Sequence, residues 1–562
     1  MNMMRINIST IALAAAMSVL AGCQNDGPEP RFDPRALGDP QRQVADQYRT
    51  DGELRPLPTT LESQFLPENR NKPNAPKEPP ASSALQVDAK IVKLPLREIA
   101  QRAVVNNRAV KVSGYQPAID ETRVTEAEAR FDPEFFAGAT FEARRQDSEF
   151  GFTGTNFDQW RLEAGLRQLL PTGGQVELKY GPNRTGFLDQ FGESQKAYTA
   201  EIGLQLTQPL LRDFGLDVNR ARIVINQNNQ RISVLDFRKD LEEVLRTIEE
   251  TYWRLVQARE TVRIQEELLQ RTIDFADIVS NRFGQDTTME QISTSISRVE
   301  AARETLIQAR QRVMDLSDQL KNLMNDPEYP VAGGTLLLPA DEPLMQAVAF
   351  DFSDNLSTAL LNRLELGQQQ LRVDSASVAM KVAKNNKLPQ LNLVGSLGFQ
   401  GLGEDYFDSH DPIWDTDNVS WSLGLQFVQK IGNREAESIF RRAQLQRMQA
   451  IAQYEQLIDQ VTTEVKTAQR EVEASWQSIG QTRKARFAAA KALETLQTLR
   501  INGEPLTPNF VERELSRQQE VAGAERAEAE SVARYNIALS RLEGFKGTLL
   551  RYNNVLLEEA KR

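Results

Sequence analysis

Two periodicities organise the chain. The first is alternation. Phe135, Ala137, Ala139 and Phe141 alternate with polar or small residues, as do Trp160/Leu162/Ala164/Leu166, Val176/Leu178/Tyr180 and Tyr198/Ala200/Ile202/Leu204/Leu206. Leu391/Leu393/Gly395/Leu397/Phe399 and Trp421/Leu423/Leu425/Phe427 repeat it later. Period two over about 9–11 residues, with Gln, Glu, Ser and Gly opposite the apolar face, predicts strands of the membrane-barrel kind. A half-buried sheet on a soluble domain gives the same alternation strand by strand.

The second periodicity is helical. Val299, Ala302, Leu306, Ala309, Val313, Leu316, Leu320 and Leu323 step by three and four, the seam of a coiled coil. Leu241, Leu245, Ile248, Tyr252 and Leu255 do the same in the helix before it. The last helix is rich in alanine (Ala522, Ala524, Ala527, Ala529, Ala533 and Ala538), which permits close helix approach. No Gly or Pro interrupts Leu216 to Phe283, which predicts one helix of roughly 69 residues and about 100 Å. A solvated fibrous coiled coil is the competing reading of these helices alone.

The layout occurs twice. NNRAVKVSGYQPAIDETRVTEAEARFDPEFFAGATF from Asn106 and LNRLELGQQQLRVDSASVAMKVAKNNKLPQLNLVGSLGF from Leu361 are each a helix that ends at a Pro and enters alternating sequence. Each then meets a Gly (Gly215, Gly432), a very long helix, a second Gly (Gly284, Gly503) and a return helix. Such self-similarity is an architectural signal. It divides the chain into repeat 1 at 94–330, an inter-repeat segment at 331–354, repeat 2 at 355–550 and a tail at 551–562.

The chain opens MNMMRINISTIALAAAMSVLAGC. One early Arg and an apolar run of about 15 residues suit a secretory signal at 1–22 and are too short for a spanning helix. Leu20-Ala21-Gly22-Cys23 resembles the bacterial lipoprotein cleavage box, which would leave Cys23 as a lipid-bearing N-terminus. The Pro-rich polar stretch 23–93 reads as a spacer. Cys23 is the only cysteine, so intrachain disulfides and cysteine metal sites are excluded. A net charge of −11 argues against a nucleic-acid partner. No nucleophile–base pair, HExxH, P-loop or GxGxxG is present, so no enzyme, cofactor or metal is expected, and His410 reads as a solvated loop side chain. If the protein transports, its energy comes from elsewhere.

Local chemistry marks both hairpin turns between long helices. Thr287 with Glu290 reads as a capping box that starts the first return helix. In RINGEPLTPNF, Thr507 before Pro508 reads as an N-cap followed by Pro at the first helical position.

The doubled layout, LPLREIAQRAVVNNRAV, the strand entries NNKLPQLNLVGSLGF and TQPLLRDFG, and SNRFGQDTTMEQIS at the turn together resemble the TolC-like outer-membrane efflux protein family, over roughly residues 94–550. The resemblance implies an α+β membrane protein: a trimeric transmembrane β-barrel joined to a long periplasmic α-helical coiled-coil barrel, with two internal repeats per chain. It implies a homotrimer in outer-membrane lipid that meets a periplasmic adaptor protein and an inner-membrane pump. The function implied is a passive exit duct for efflux or secretion. The rival is a structural coiled-coil envelope lipoprotein without a conduit. By resemblance, the tips Gly284, Gln285, Asp286, Asn502, Gly503 and Glu504 would contact the adaptor. Acidic residues just after the tip glycines would gate the pore, here Glu290 and Glu512. The matching position six after Gly503 is Asn509, a departure from that pattern. Family chains commonly supply four strands. The strand region of repeat 1, from Pro133 to Pro209, is longer than that of repeat 2, from Pro389 to Val428, by about 37 residues that include QWRLEAGLRQLLPTGGQVELKYG, a strand–turn–strand around Thr172-Gly173-Gly174. This chain therefore supplies six strands or projects the extra hairpin outward.

Overall fold

A computed structural model describes residues 90–144, 157–188, 194–414, 418–553 and 555. Cys23, the leader, the spacer up to residue 89 and most of the tail lie outside the described residues.

Six strands form one antiparallel sheet: β2 (Glu134–Arg144), β3 (Phe157–Leu169), β4 (Gln175–Leu188), β5 (Ser194–Pro209), β7 (Gln390–Gly403) and β8 (Val419–Val428), in the order β2-β3-β4-β5-β7-β8. A separate two-stranded parallel pair joins β1 (Ile91–Leu94) to β6 (Leu336–Pro339). β1 begins inside the stretch read from sequence as spacer. It has too few residues for alternation to show, and its pairing partner lies far along the chain.

The helices are α1 (Leu96–Asn106), α2 (Arg108–Glu128), α3 (Ala221–Asn281), α4 (Met289–Met324), α5 (Phe352–Asn362), α6 (Leu364–Asn385), α7 (Arg434–Ile501) and α8 (Pro508–Phe545). The second long helix, α7, runs 68 residues. The first is shorter than its sequence suggests. A single turn at Leu216–Asn219 stops at Arg220 (φ −88°, ψ 0°), and α3 then runs 61 residues. The Asn219 side chain explains the break, since it donates to the carbonyls of Asp213 and Gly215 and ties this turn back to the linker.

Each long helix is accompanied by two shorter ones placed end to end. The 21 residues of α2 flank the part of α3 nearer the sheet, and the 36 of α4 flank the rest. The 22 residues of α6 and the 38 of α8 do the same for α7. Both halves are four helices abreast: α2-α3-α6-α7 near the sheet and α4-α3-α8-α7 beyond it. Leu241, Leu245, Ile248, Tyr252 and Leu255 of α3 are all fully buried. Along α4, Val299, Ala302, Leu306, Val313, Leu316 and Leu320 are buried, whereas Ala309 and Leu323 are half-buried. Of the α8 alanines, Ala522, Ala533 and Ala538 form the seam, while Ala527 faces outward.

A waist of packed side chains sits where the accompanying helices change. Leu94, Ile99 and Ala103 meet Ile248, Tyr252 and Leu255, with Leu316, Leu320, Met324 and Leu337 closing the cluster. The Tyr252 hydroxyl donates to Asp341 Oδ2 at 2.9 Å and accepts from the backbone N–H of Ala340 (3.1 Å) and Asp341 (3.0 Å). Tyr252→Phe keeps the ring but leaves the Asp341 N–H without its acceptor and removes one of two donors to Asp341 Oδ2, while the Ala340 N–H keeps the Leu94 carbonyl and Oδ2 keeps the Leu96 N–H. We expect it to cost about 1–3 kcal/mol, read as lowered hydrogen-exchange protection around the waist. Unchanged protection would mean that water replaces the hydroxyl.

Candidate functional site: an amphipathic sheet and two clamped tips

The register carries the alternation across all six strands. Phe135, Leu166, Leu178, Leu204, Leu397 and Trp421 stand in one row, and Ala137, Ala164, Tyr180, Ile202, Phe399 and Val419 in the next. The opposite face holds rows such as Glu134, Arg167, Glu177, Gln205, Ser396 and Ser422. Polar neighbours there satisfy one another: Arg167 pairs with Glu134 at 2.7 Å, Lys179 with Glu163 at 3.2 Å, and the hydroxyls of Ser396 and Ser422 lie 2.8 Å apart. The apolar face remains open in the single chain, with Phe135 72% exposed and Trp421 75%. An apolar surface spread over six strands far exceeds the scattered patches of a soluble monomer. Among the described residues the outer edges of β2 and β8 carry no strand partner, and all ten residues of β8 are exposed.

At the sheet end remote from the helices, residues 404–414 fold back over part of the apolar face. Gly401 and Gly403 make room: a Cβ on Gly401 would lie 2.0 Å from the Ser409 carbonyl oxygen. Ile413 and Ala200 become buried under the fold. His410 is therefore not the solvated loop side chain that sequence suggested. Its Nδ1 lies 2.6 Å from the Tyr406 carbonyl oxygen, its Nε2 bonds the Tyr180 hydroxyl, and its ring stacks at 4.6 Å on Tyr406.

The opposite end of the chain's long axis consists of two helical turns. Gly284 (φ +79°) and Gly503 (φ +94°) both occupy the left-handed region, and a Cβ on either would meet nothing within 4 Å. Gln285, Asn502 and Glu504 are exposed around them. Asp286 is half-buried and tied inward. It pairs with Arg282 and accepts the Leu506 N–H at 3.0 Å. Gln291 Nε2 donates to the Leu506 carbonyl at 2.6 Å, so both polar groups of one peptide residue clamp tip to tip.

The caps differ in one respect from the sequence reading. The capping box is Thr288 with Gln291, not Thr287 with Glu290. Thr287 is buried instead, with its hydroxyl donating to the Val279 carbonyl. That bond closes the turn and shifts the helix start by one residue. Thr507 caps α8 through the Phe510 N–H, with Pro508 in the first turn.

Glu290 is exposed in the first turn of α4, and Glu512 on α8 pairs with Arg298 of α4 at 2.8 Å. The two carboxylates lie on different helices, and the paired one joins the two hairpins. Sequence reading missed the core beneath the tips. Phe275, Val279, Leu496, Leu506, Phe510, Val511 and Leu515 cluster there. Arg500 stacks 5.6 Å from the Phe275 ring and reaches Glu514 Oε2 at 3.1 Å. Glu514 is fully buried, and burial pushes its carboxyl up while Arg500 pulls it down. A charged pair facing across the Asn502–Gly503 turn was the available signal.

Among the described residues no group of three or more His, Cys, Asp or Glu could hold a metal ion, and no helix is long and apolar enough to cross a membrane. No protein-family model matches the chain, and no curated protein does. Solved structures match in fold. The Campylobacter jejuni CmeC outer membrane channel is 16% identical, with TM-score 0.58 over 81% of this chain and 86% of that one. The outer membrane protein VceC from Vibrio cholerae is 14% identical, with TM-score 0.58 over 80% and 96%. The open-state MtrE outer membrane channel of Neisseria gonorrhoeae is 15% identical, with TM-score 0.56 over 81% and 89%. The fold is thus that of outer-membrane channel proteins. It is the TolC-like arrangement that the sequence resembles.

Proposed function

We propose that the chain is the outer-membrane exit duct of a multi-component efflux or secretion system. The observation that carries this reading is the join, within one chain, of a membrane-type amphipathic sheet to helices on the order of 100 Å long. In this reading the sheet lies in the outer membrane and the helices cross the periplasm. The two open strand edges are the contacts between copies, and β8 of one copy meets β2 of the next antiparallel because the sheet has an even number of strands. Three copies form the duct, and the helix–strand–helical-hairpin order seen twice along the chain supports two repeats, at 94–330 and 355–550. The duct is passive and catalyses no reaction. A pump in the inner membrane drives export through a periplasmic adaptor. The exposed apolar face argues against a coiled-coil lipoprotein without a conduit, because water would then cover that face. The test is single-channel recording of the purified protein in a planar bilayer, with native mass spectrometry in detergent. Discrete conductance from a trimer is expected; a monomer without conductance would remove the proposal.

Cys23 carries lipid in this scheme, ahead of a spacer that ends where β1 begins at Ile91. Cys23→Ala is expected to abolish palmitate labelling and leave the precursor uncleaved there, with part of the protein still held by its sheet. Absence of label from the unaltered chain would remove the anchor.

The tips Gly284, Gln285, Asp286, Asn502, Gly503 and Glu504 are proposed as adaptor contacts, and Glu290 with Glu512 as pore-facing carboxylates. Gly284→Val and Gly503→Val meet open space, so their cost is the left-handed backbone alone, roughly 1–2 kcal/mol. Normal trimer abundance with lost adaptor cross-linking is expected. Loss of the trimer would assign the tips to assembly instead.

A further inference from the structure

We infer that the β3–β4 hairpin is a pore-widening insert that makes the ring of three copies eighteen-stranded, with an aqueous lumen as broad as the helical tube beneath it. The inference rests on the exit-duct reading above and adds the size of cargo that the membrane segment admits.

Four observations support it. First, the hairpin is integral to the sheet. β3 and β4 pair with each other and with β2 and β5 along nearly their whole lengths. Second, its turn is fixed at the base of the sheet. Thr172 Oγ1 and Gln208 Oε1 lie 3.0 Å apart, and Gly215 N–H donates to the Thr172 carbonyl at 3.1 Å. Gly173 (φ +92°) permits this, since a Cβ there would lie 2.2 Å from the Asp213 carbonyl oxygen. A hairpin projecting outward would need none of these ties.

Third, the stagger suits a barrel. Following the register from the middle of β2 to β8 displaces the strand midpoint by about six residues in five steps. At about 3.4 Å per residue and 4.8 Å per strand this is a tilt of roughly 40°, the value of closed barrels. Fourth, the perimeters agree. Eighteen strands so tilted span about 110 Å, and twelve span about 75 Å. Four helices abreast per copy make twelve, which at 8–10 Å apart also span about 110 Å. At this tilt the eighteen-strand perimeter matches that of the helical tube, and the twelve-strand perimeter is smaller. Gly138, Gly165, Gly181, Gly203, Gly398 and Gly424 on the polar face keep that lumen from filling with side chains. The cargo class that fits is bulky hydrated solute.

The register also supplies the variant. Residues facing across β3 and β4 place Ala139 of β2 in line with Ala200 of β5, both on the apolar face. Joining Arg144 to Gln195 by a two-residue turn sets 144 opposite 195, the register in which 139 faces 200, so it deletes the hairpin and preserves every inward and outward position. The experiment compares the full chain with this deletion as purified trimers in planar bilayers, using conductance and exclusion of graded polyethylene glycols. The expected result is a conductance about halved, because diameter scales with strand number, and a smaller polymer cut-off. Equal conductance and cut-off would overturn the proposal.

A second arm uses the full chain and stands if the deletion does not fold. Leu178→Cys and Lys179→Cys, on opposite faces of β4, are labelled in membranes with a membrane-impermeant maleimide, with the unsubstituted chain as background. Labelling at 179 with protection at 178 supports an in-barrel hairpin, and labelling at both places it outside and overturns the inference. If neither protein conducts, the exit-duct reading fails, while the labelling still decides where the hairpin lies.

Discussion

Arginine in place of Leu204 should keep most of the protein out of the outer membrane, whereas arginine in place of its neighbour Gln205 should be tolerated. Leu204 is on the apolar stretch of β5, one apolar position from its middle, between Leu178 and Leu397 in its row, and 40% exposed in the single chain. Gln205 points to the other face, between Glu177 and Ser396. With the sheet in a bilayer, Leu204 faces hydrocarbon near its midplane and Gln205 faces water. Arginine on the lipid face near the midplane costs about 2–4 kcal/mol per copy, and in the proposed ring each of three copies bears it. Beside Glu177 the same arginine gains a carboxylate neighbour. The measurement is the amount of trimer in the outer-membrane fraction for the two variants. Equal abundance of both would mean that the sheet does not face lipid. The reverse order would exchange its inner and outer faces.

The legibility of this chain followed the reach of each physical rule. Strands showed in the sequence because period two is strict and a one-residue slip would turn every side chain to the wrong face. The first long helix showed because Gly and Pro are absent from Leu216 to Phe283, and α7, which contains Gly480, showed through the matching layout between Gly432 and Gly503. What stayed hidden depends on partners distant in sequence. β1 is defined by pairing with β6 about 245 positions later. The break at Arg220 comes from an Asn219 side chain bonding backward, a choice equally open to helix or turn. At the first tip, Thr287 and Thr288 are both good caps, and tertiary burial of one hydroxyl decided between them. The inward tie of Asp286 needed the second hairpin to be in place, since its partner is Leu506. That tie also changes how Asp286 acts at the tip. The residue holds the two turns in register, and Gln285, Asn502 and Glu504 are the side chains left facing outward. His410 was misread for a related reason: a loop reads as solvated until the glycines opposite it, Gly401 and Gly403, are seen to admit its backbone.

Raising the pH from about 4.5 to 7 should loosen the helices next to the sheet, and Glu242→Gln should abolish most of that response. Glu242 lies on α3 where α6 begins and α7 passes. Burial pushes its carboxyl up to about 7, the neighbouring Glu365 carboxylate adds to the rise, and Arg363 opposes it. Arg363 is already engaged, with Glu464 at 2.7 Å and Glu365 at 3.1 Å, and Lys239 lies 3.7 Å from Glu365. The group therefore holds its proton in the folded chain over a range in which an unfolded chain has lost it. A folded pKa above the unfolded one gives a contribution that is whole below about pH 4.5. It is lost as pH rises through about 7 and is level above that. The full span is on the order of 3 kcal/mol. Local opening is the right readout, because it reports on these helices by themselves. Amide exchange in α3 and α6, corrected for intrinsic rates, should show protection falling by up to about a hundredfold between pH 4.5 and 8 in the native chain. The glutamine variant should stay protected, and so be the more stable of the two above pH 7. An unchanged pH slope in that variant would move the effect to another group. Glu249 is the first to examine, since burial also pushes its carboxyl up and its bonds to Ser540 and Asn553 only partly oppose the shift.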